Sequence, residues 1–243
     1  MIIGEANYVR VPTIDNAWRE AMWLCVRNGY DFLVKGGSYQ GQIRKQLDKV
    51  MIEITAPGSR PLAPITPAAI PAPTSEVKIG EYFVRYLVGD EKAPNEVYTY
   101  GEFIVKQLGQ VISLLRSSEG NTNQATICIG NTNTTFLADP PCLRSISFKV
   151  VNGRLNMSVY FRSWDLYAGL PENLGGLQLL KELVLSQVED VFPITDESII
   201  AYSDGLHLYE QYFSLVDCLN VDKINVDAAA QNDKIEYLQV NGR

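Results

Sequence analysis

Three short segments of the sequence contain side chains that could act together on a ligand. The first reads Asp-Pro-Pro-Cys over 139–142, so two prolines hold the backbone extended before the Cys142 thiol. The second, Arg-Ser-Trp-Asp over 162–165, has a guanidinium and a hydroxyl that suit a phosphate. The third contains His207 and Tyr209. On a helix or tight turn, the polar ends of these two side chains could bind one ligand. Each segment alone also has a structural explanation: a buried thiol, a surface ion pair or a hydrogen-bonded histidine.

The composition restricts the chemistry that these segments could perform. The 243 residues have a formal net charge of −7, one histidine and four cysteines. A single histidine excludes a site with two or three histidine ligands, and the lack of a C-x-x-C pair argues against structural zinc, so we expect no metal. The acidic balance argues against general nucleic-acid binding, which needs clustered Lys and Arg. Any catalysis must therefore rest on thiols, carboxylates, tyrosines and His207.

The length and the amino terminus predict one cytoplasmic domain. A chain of this length is nearer to one large domain than to two small ones, so we expect a single domain over 1–243. No apolar run approaches the ~20 residues of a membrane span, and residues 1–5 do not resemble the start of a signal peptide. We therefore expect a reducing, cytoplasmic location, free thiols and no membrane partner.

Periodicity in the sequence predicts the elements that position the three segments. Apolar residues alternate with polar ones on both sides of Asn152-Gly153, which predicts a β-hairpin over 145–162. Helical spacing over 14–28, followed by Gly29, predicts an amphipathic helix. Further helices are predicted over 79–88, 104–116, 174–188 and 206–219, and further strands over 49–55, 124–130 and 197–202. The stripe expected on the second of these helices consists of Val105, Leu108, Ile112 and Leu115.

Two segments are predicted to lie outside regular structure. Six of the twelve prolines fall within 57–73, and a proline has a fixed φ and no N–H donor. Because only about 56 residues precede this stretch, we expect a long surface loop within the domain rather than a linker between domains. The polar segment 226–243 is expected to be a flexible tail.

The motifs around these segments, in their order along the chain, resemble the thymidylate synthase family. FRSWD with DLYAGLPEN over 161–173 is similar to the family's phosphate-and-base loop, and DGLHLY over 204–209 to its sugar-contacting motif. VYTYG over 97–101 is similar to the family's Tyr-Gly site before a helix. The resemblance covers about residues 80–220. Pro-Pro-Cys-Leu, in place of Pro-Cys-His, is closer to the archaeal and phage-related branch, which includes pyrimidine nucleotide hydroxymethylases.

The resemblance implies a role for each matching residue in the recognition of a nucleotide. Arg162 and Ser163 match the phosphate ligands, and His207 and Tyr209 match the pair that holds the 3′-hydroxyl of deoxyribose. Asn173 matches the amide that contacts the 3-NH and 4-oxo groups of the base, which favours uracil because the cytosine-directed members resemble this pattern with Asp.

The resemblance also implies covalent catalysis. Cys142 matches the nucleophile that adds to C6 of the pyrimidine, and we expect the Arg162 guanidinium to lower the pKa of its thiol. Tyr100 matches the tyrosine near the C5 proton, and Asp165 a carboxylate near folate and base. Glu81 is the candidate for the general-base glutamate, although it lies eight residues before Gly89, one more than in bacterial members.

The sequence departs from the bacterial pattern at several positions. Asn123-Gln124 stands where bacterial members have an arginine pair that reaches the partner's phosphate, which puts cross-subunit binding in doubt. Arg44 is the candidate for a further phosphate arginine near the amino terminus. The tryptophans of the folate pocket have no clear counterparts, and Tyr98 and Trp164 are only weak substitutes for them. The segment 240–243 does not match the family's closing carboxyl-terminal segment.

Three functions follow from the resemblance. The first is methylation, in which 5,10-methylenetetrahydrofolate supplies a methylene and a hydride to C5 of dUMP to give dTMP and dihydrofolate. The second is a 5-hydroxymethylation of deoxyuridylate or deoxycytidylate by the same covalent route, with water as the final nucleophile. The third is a nucleotide-binding homologue without turnover. The implied fold is a single α/β (α+β) domain with a central mixed β-sheet flanked by helices, whose sheets pack back to back in a homodimer.

Overall fold

Ten strands form two sheets in the computed structural model, which describes residues 6–36, 39–92, 94 and 96–220. In chain order they are β1 (Asn7–Val11), β2 (Tyr30–Leu33), β3 (Ile43–Leu47), β4 (Val50–Ile54), β5 (Thr126–Cys128), β6 (Leu143–Val151), β7 (Arg154–Phe161), β8 (Trp164–Asp165), β9 (Thr195–Ser203) and β10 (Leu206–Tyr209). The larger sheet has the order β1-β4-β9-β7-β6-β5 and the smaller one β2-β3-β10-β8.

Both sheets are mixed, which confirms the predicted α/β class with a central mixed sheet. In the larger sheet β1 is parallel to β4 and β7 is parallel to β9, and the other pairs are antiparallel. In the smaller sheet β8 and β10 are parallel. The smaller sheet was not predicted, because its strands are short and most of its pairing joins segments that are far apart in the sequence.

The predicted hairpin forms from β6 and β7. Asn152 and Gly153 both have positive φ, 51° and 71°, as a tight two-residue hairpin turn requires. Ile146 lies opposite Val159 and Phe148 opposite Met157, and all four are buried. The alternation seen in the sequence therefore separates a core face from an outer face.

Five α-helices flank the sheets within the described residues: α1 (Ile14–Asn28), α2 (Glu76–Glu81), α3 (Gly101–Ser117), α4 (Gly169–Ser186) and α5 (Phe213–Leu219). Helix α1 has the predicted bounds and buries Trp18, Met22 and Cys25. Its N-cap is Thr13, whose hydroxyl accepts the Asn16 N–H at 3.2 Å.

The predicted apolar stripe of α3 is wrong by part of a turn. Val105 is 51% exposed, Leu108 and Ile112 are half-buried, and Leu115 is buried as expected. The helix buries Gly101, Ile104, Val111 and Leu115 instead. It begins three residues before the predicted start, which brings Gly101 and Ile104 into the buried face.

Two predicted helices in the carboxyl-terminal half need correction. Helix α4 begins at Gly169, five residues before the predicted start, because the Asp165 carboxylate accepts the N–H groups of Ala168 and Gly169. The predicted helix over 206–219 is a strand in its first part, since Leu206–Tyr209 pairs with β3 and β8, and only Phe213–Leu219 is α-helical. Pairing with distant strands overrides the local pattern here.

The predicted helix over 79–88 is α-helical only at its start. After α2, residues Tyr82–Leu87 form a π-helical turn in which the Val88 N–H donates to the Phe83 carbonyl, five residues earlier, at 3.0 Å. The proline-rich stretch over 57–73 contains no helix or strand, as predicted. The predicted tail over 226–243 and the segment 240–243 lie outside the described residues.

Within the described residues, no helix is both long enough and apolar enough to cross a membrane. The same part of the chain contains no group of three or more His, Cys, Asp or Glu side chains placed to hold a metal ion.

Candidate active site

The three segments singled out in the sequence meet beside the start of β6 and the end of β7, where β8 pairs with β10. The Arg162 N–H, just after β7, donates to the Cys142 carbonyl, just before β6, at 2.9 Å. The Trp164 N–H donates to the Gly205 carbonyl at 2.9 Å, and the Leu166 N–H to the His207 carbonyl at 2.8 Å. Backbone hydrogen bonds therefore fix the loop 162–166 between the cysteine and the histidine.

The surroundings of Cys142 have opposing effects on the pKa of its thiol. The thiol is mostly buried, and burial raises its pKa above the ordinary value, while Arg162, Arg44 and Arg144 lower it and Asp139 raises it. The sequence predicted a net fall caused by Arg162. The fall is not seen because burial outweighs the guanidinium, which is also shared with the Asp139 carboxylate at 3.1 Å and the Pro141 carbonyl at 3.2 Å.

Three arginines form a positive cluster beside this cysteine. Arg44 lies on β3 opposite Tyr209, and its guanidinium packs 4.5 Å from the centre of the Phe32 ring. Its Nη2 donates to Gln46 at 2.8 Å, but its Nε is buried and has no hydrogen-bond partner among the described residues. An unpaired buried donor on a cation suits an anionic ligand.

Arg144 is a member of the cluster that the sequence reasoning missed. It lies two residues after Cys142 at a β-bulge in β6, between Leu143 and Ser145. Bulges redirect side chains next to functional sites, and an arginine so close to a candidate nucleophile is the signal that could have identified it.

His207 and Tyr209 lie on one side of β10 because alternate residues of a strand point to the same face. Their rings make an edge contact with centres 5.3 Å apart. The His207 Nδ1 lies 3.0 Å from the Gly205 carbonyl, which only accepts, so Nδ1 carries the proton and Nε2 is the acceptor. Burial, and next the charge of Arg44, lower the pKa of His207 to about 4. The imidazole is therefore neutral at pH 7, and the Ser163 hydroxyl lies 3.5 Å from its Nδ1.

Asn173 lies in the first part of α4, near two other residues that the sequence assigned to the site. The Trp164 indole N–H donates to the Asn173 Oδ1 at 2.9 Å. The Asp165 carboxylate accepts the N–H groups of Ala168 at 3.1 Å and Gly169 at 2.9 Å. Burial raises the pKa of Asp165, although these backbone donors favour the ionised form. Asp165 thus fixes the start of the helix that carries Asn173.

A group of four tyrosines lies close to Cys142. The Leu143 N–H donates to the Tyr100 hydroxyl at 3.2 Å, and burial raises the pKa of Tyr100 well above its ordinary value. Ring centres are 5.0 Å apart for Tyr86 and Tyr100 and 6.1 Å apart for Tyr98 and Tyr100. Tyr82 stacks on Tyr86 at 5.5 Å.

Tyr82 and Tyr86 were also missed, although they follow Glu81 closely and are four residues apart, a spacing typical of one face of a helix. Burial raises the pKa of Tyr82 well above its ordinary value. Its hydroxyl is near enough to Asn173 for the amide to affect this pKa, but the two groups form no regular hydrogen bond within the described structure.

Glu81 is exposed and lines a surface cleft next to the tyrosines, with Lys78, Tyr82, Arg85, Tyr86 and Glu172. Cys142 is not among the described residues that line this cleft. A π-helical turn, whose hydrogen bonds span one residue more than those of an α-helix, follows Glu81. Glu172, a second carboxylate that the sequence reasoning missed, accepts the Thr74 hydroxyl at 2.7 Å.

Asn123-Gln124 is remote from this site within the chain. The Asn123 side chain accepts a hydrogen bond from Lys149, near the turn of the hairpin. Cys142 precedes the opposite end of the same strand, β6. These two residues therefore take no part in the arginine cluster of the same chain.

Comparison with known proteins gives a consistent result. A family model described as thymidylate synthase matches residues 84–226, more than half of the chain. A protein of Methanosarcina barkeri named "Putative thymidylate synthase" is 27% identical over 217 residues, covering 86% of this chain and 92% of the relative. A protein of the same name from Methanothermobacter thermautotrophicus is 32% identical over 142 residues, covering 56% and 61%. Thermostable thymidylate synthase A from Bacillus subtilis has the same fold, with a TM-score of 0.63, 14% identity and coverage of 85% and 83%.

Proposed function

The chain belongs to the thymidylate synthase family, and we propose that it transfers a one-carbon unit from 5,10-methylenetetrahydrofolate to C5 of dUMP, giving dTMP and dihydrofolate. The observation that supports this best is the backbone hydrogen bonding that joins Cys142, Arg162 and His207 in one site. A thiol, a guanidinium and a neutral imidazole acceptor then face a single ligand from three strands.

The phosphate of the nucleotide would bind the arginine cluster. Arg162 and Ser163 follow β7 together, and the buried Nε of Arg44 is an unused donor. A phosphate would replace Asp139 as the partner of Arg162. The 3′-hydroxyl of deoxyribose would donate to the unprotonated Nε2 of His207, with Tyr209 beside it.

Cys142 would add to C6 of the pyrimidine as a thiolate. The new S–C6 bond displaces the electron pair of the C5–C6 double bond, which leaves C5 nucleophilic and places the charge on the 4-oxo group. Arg162, Arg44 and Arg144 favour the thiolate against the opposing effect of burial. Asn173 would donate to the 4-oxo group through its amide.

The proton at C5 must then leave. The raised pKa of Tyr100 keeps its hydroxyl neutral at pH 7, so we assign it an orienting role near this proton. Glu81 would act as the general base through water in the cleft that it lines with Tyr82 and Tyr86. Asp165 would fix the start of α4 through its hydrogen bonds and so position Asn173.

Folate, when bound, would supply the methylene and the hydride. The cleft beside Tyr82 and Tyr86 would suit a pterin because it presents these two rings and the carboxylates of Glu81 and Glu172. Aromatic rings suit a flat heterocycle, and carboxylates suit its amino and amide donors.

One experiment separates this function from its alternatives. The protein is incubated with 5-tritiated dUMP and methylenetetrahydrofolate, tritium release is followed, and the product is identified by mass. Thymidylate, with the absorbance rise of dihydrofolate, supports methylation. A Cys142→Ser variant should release no tritium and form no covalent adduct with 5-fluoro-dUMP. If the unmodified protein neither released tritium nor formed the adduct with 5-fluoro-dUMP, it would be a nucleotide-binding homologue without turnover.

Hydroxymethylation is the second candidate, and the polarity of the cleft favours it. Four charged side chains line the cleft, Lys78, Glu81, Arg85 and Glu172. Such walls hold water next to the site of one-carbon transfer, where water could complete the reaction in place of a hydride. A 5-hydroxymethyl nucleotide without dihydrofolate would establish this activity and refute methylation.

The proposal also includes the assembly and location of the enzyme. We propose a single domain over 1–243 that acts in the cytoplasm as a homodimer, with the larger sheets of two subunits packed back to back.

A further inference from the structure

The side chain of Asn173 can bind a pyrimidine in two orientations. Uracil presents a donor at N3 and an acceptor at its 4-oxo group, whereas cytosine presents an acceptor at N3 and a donor at its 4-amino group. An amide has both a carbonyl and an NH2 group, so a rotation of 180° about its terminal bond exchanges one match for the other. An asparagine therefore distinguishes uracil from cytosine only if its orientation is fixed.

The Trp164 indole meets this requirement. Its N–H donates to the Asn173 Oδ1 at 2.9 Å, and an indole can only donate. If the amide rotated, its NH2 group would face the indole N–H, the hydrogen bond would be lost, and two donors would be opposed in a buried site. Trp164 thus favours the orientation of the Asn173 amide in which Oδ1 faces the indole N–H.

The indole itself has little freedom to turn away. Trp164 is 2% exposed, and its ring stacks on Phe161 with centres 4.0 Å apart and an angle of 4°. The other polar neighbour, the Tyr82 hydroxyl, can donate or accept and therefore does not discriminate between the two orientations.

We propose that Trp164 determines the preference for uracil over cytosine by fixing the orientation of the Asn173 amide. With one lone pair of Oδ1 bound to the indole, the other can accept the N3–H of uracil while Nδ2 donates to the 4-oxo group. Trp164 is a positioning residue in this scheme, and the inference rests on the proposed function, because it requires a pyrimidine at Asn173.

The test measures the dissociation constants of dUMP and dCMP by calorimetry for the full chain and two variants. Trp164→Phe removes the indole N–H and should reduce the ratio of dUMP to dCMP affinity by about tenfold, the effect of one hydrogen bond. Trp18→Phe is the matched control, since Trp18 is fully buried and donates its indole N–H to the Tyr167 carbonyl at 2.9 Å. That variant should keep the original ratio.

A second substitution tests the same point with less change in shape. Benzothienylalanine at position 164 replaces the indole N–H by sulfur and should lower the ratio as Trp164→Phe does, including where the Phe variant is unstable. An unchanged ratio in a folded variant would overturn the inference and leave the proposed function intact. If the unmodified chain bound neither nucleotide, the proposed function would fail, and the inference would fail with it.

Discussion

At the scale of single residues, one group of charges acts on two titratable side chains. Arg44 and Arg162 favour the thiolate of Cys142 and also disfavour the protonated form of His207. A neutral imidazole and an ionised thiol are the forms that the proposed reaction requires. The arginines therefore have a second effect besides the proposed phosphate binding, and this effect does not depend on a bound nucleotide.

The buried His207 should make stability depend on pH. Its pKa is about 4 in the folded protein and near 6.5 in the unfolded chain. Between these values the unfolded chain binds more protons, so the free energy of unfolding should decrease by about 3 kcal/mol as the pH falls from 6.5 to 4. Urea unfolding of the protein and of His207→Gln at a series of pH values measures this. If the free energy of unfolding changed equally with pH in the two proteins between pH 6.5 and 4, the prediction would be contradicted.

Asp139 should restrain the reactivity of Cys142. Its carboxylate is 84% exposed, pairs with Arg162 and raises the pKa of the thiol. Asp139→Asn should therefore increase the rate of Cys142 alkylation by iodoacetamide severalfold near pH 8.

Peptide mass spectrometry distinguishes Cys142 from the exposed thiols of Cys128 and Cys218 in this assay. Asp190→Asn is the matched control, because Asp190 is also an exposed partner of an arginine, Arg116. An equal rate increase in both variants would show that the effect is general and not local to the Arg162 pair.

At the scale of elements, the turn between β8 and α4 affects both the stability of the fold and the position of a site residue, Asn173. Asp165→Ala should remove the acceptor for two N–H groups at the start of α4 and lower the free energy of unfolding by about 1–2 kcal/mol. It should also weaken dUMP binding roughly tenfold, because Asn173 lies in the next turn.

The N-cap of α1 provides the comparison for this variant. Thr13→Ala removes the acceptor of the Asn16 N–H and should lower the free energy of unfolding by about 1 kcal/mol. It should leave dUMP affinity unchanged. If both variants weakened dUMP binding equally, the loss would come from stability alone.

The sequence predicts those elements whose determinants are local. The hairpin around Asn152-Gly153 and helix α1 are specified by residues within each segment, and both form as predicted. Strand β10 is different: Leu206–Tyr209 is extended because β3 and β8 lie on either side of it, and these come from distant parts of the chain. The π-helical turn after Glu81 was equally hidden, since the helical spacing of Ile79 and its neighbours is compatible with an α-helix.

The same distinction applies to the candidate site. Motif spacing identified Cys142, Arg162, Asn173 and His207, whose roles come from the family resemblance. It did not identify Glu172, Tyr82 or Tyr86, which packing brings to the site, nor Arg144, although that residue lies only two positions after Cys142. The partial burial of Cys142, which reverses the expected direction of its pKa, is likewise a property of the folded chain.

At the scale of the whole molecule, the outer face of the larger sheet has the composition of a surface that another molecule could cover. Tyr8, Met51, Tyr202 and Tyr160 are successive partners across β1, β4, β9 and β7. The next row, Val9, Ile52, Ala201 and Val159, is buried against the core, so the first row lies on the opposite face. Met51 is 42% exposed and Tyr8 56% in the single chain.

The proposed back-to-back homodimer would bury this outer row of side chains. Met51→Glu would place a charge at the centre of the interface, where desolvation is costly, and should weaken the dimer by roughly tenfold or more. Ile65→Glu alters an apolar residue that is 66% exposed in the proline-rich loop, and it should not change the assembly. Light scattering after size-exclusion chromatography measures the mass of each variant across a dilution series. A monomer in the unmodified protein, or a Met51→Glu dimer as strong as the original, would show that this face is not the interface.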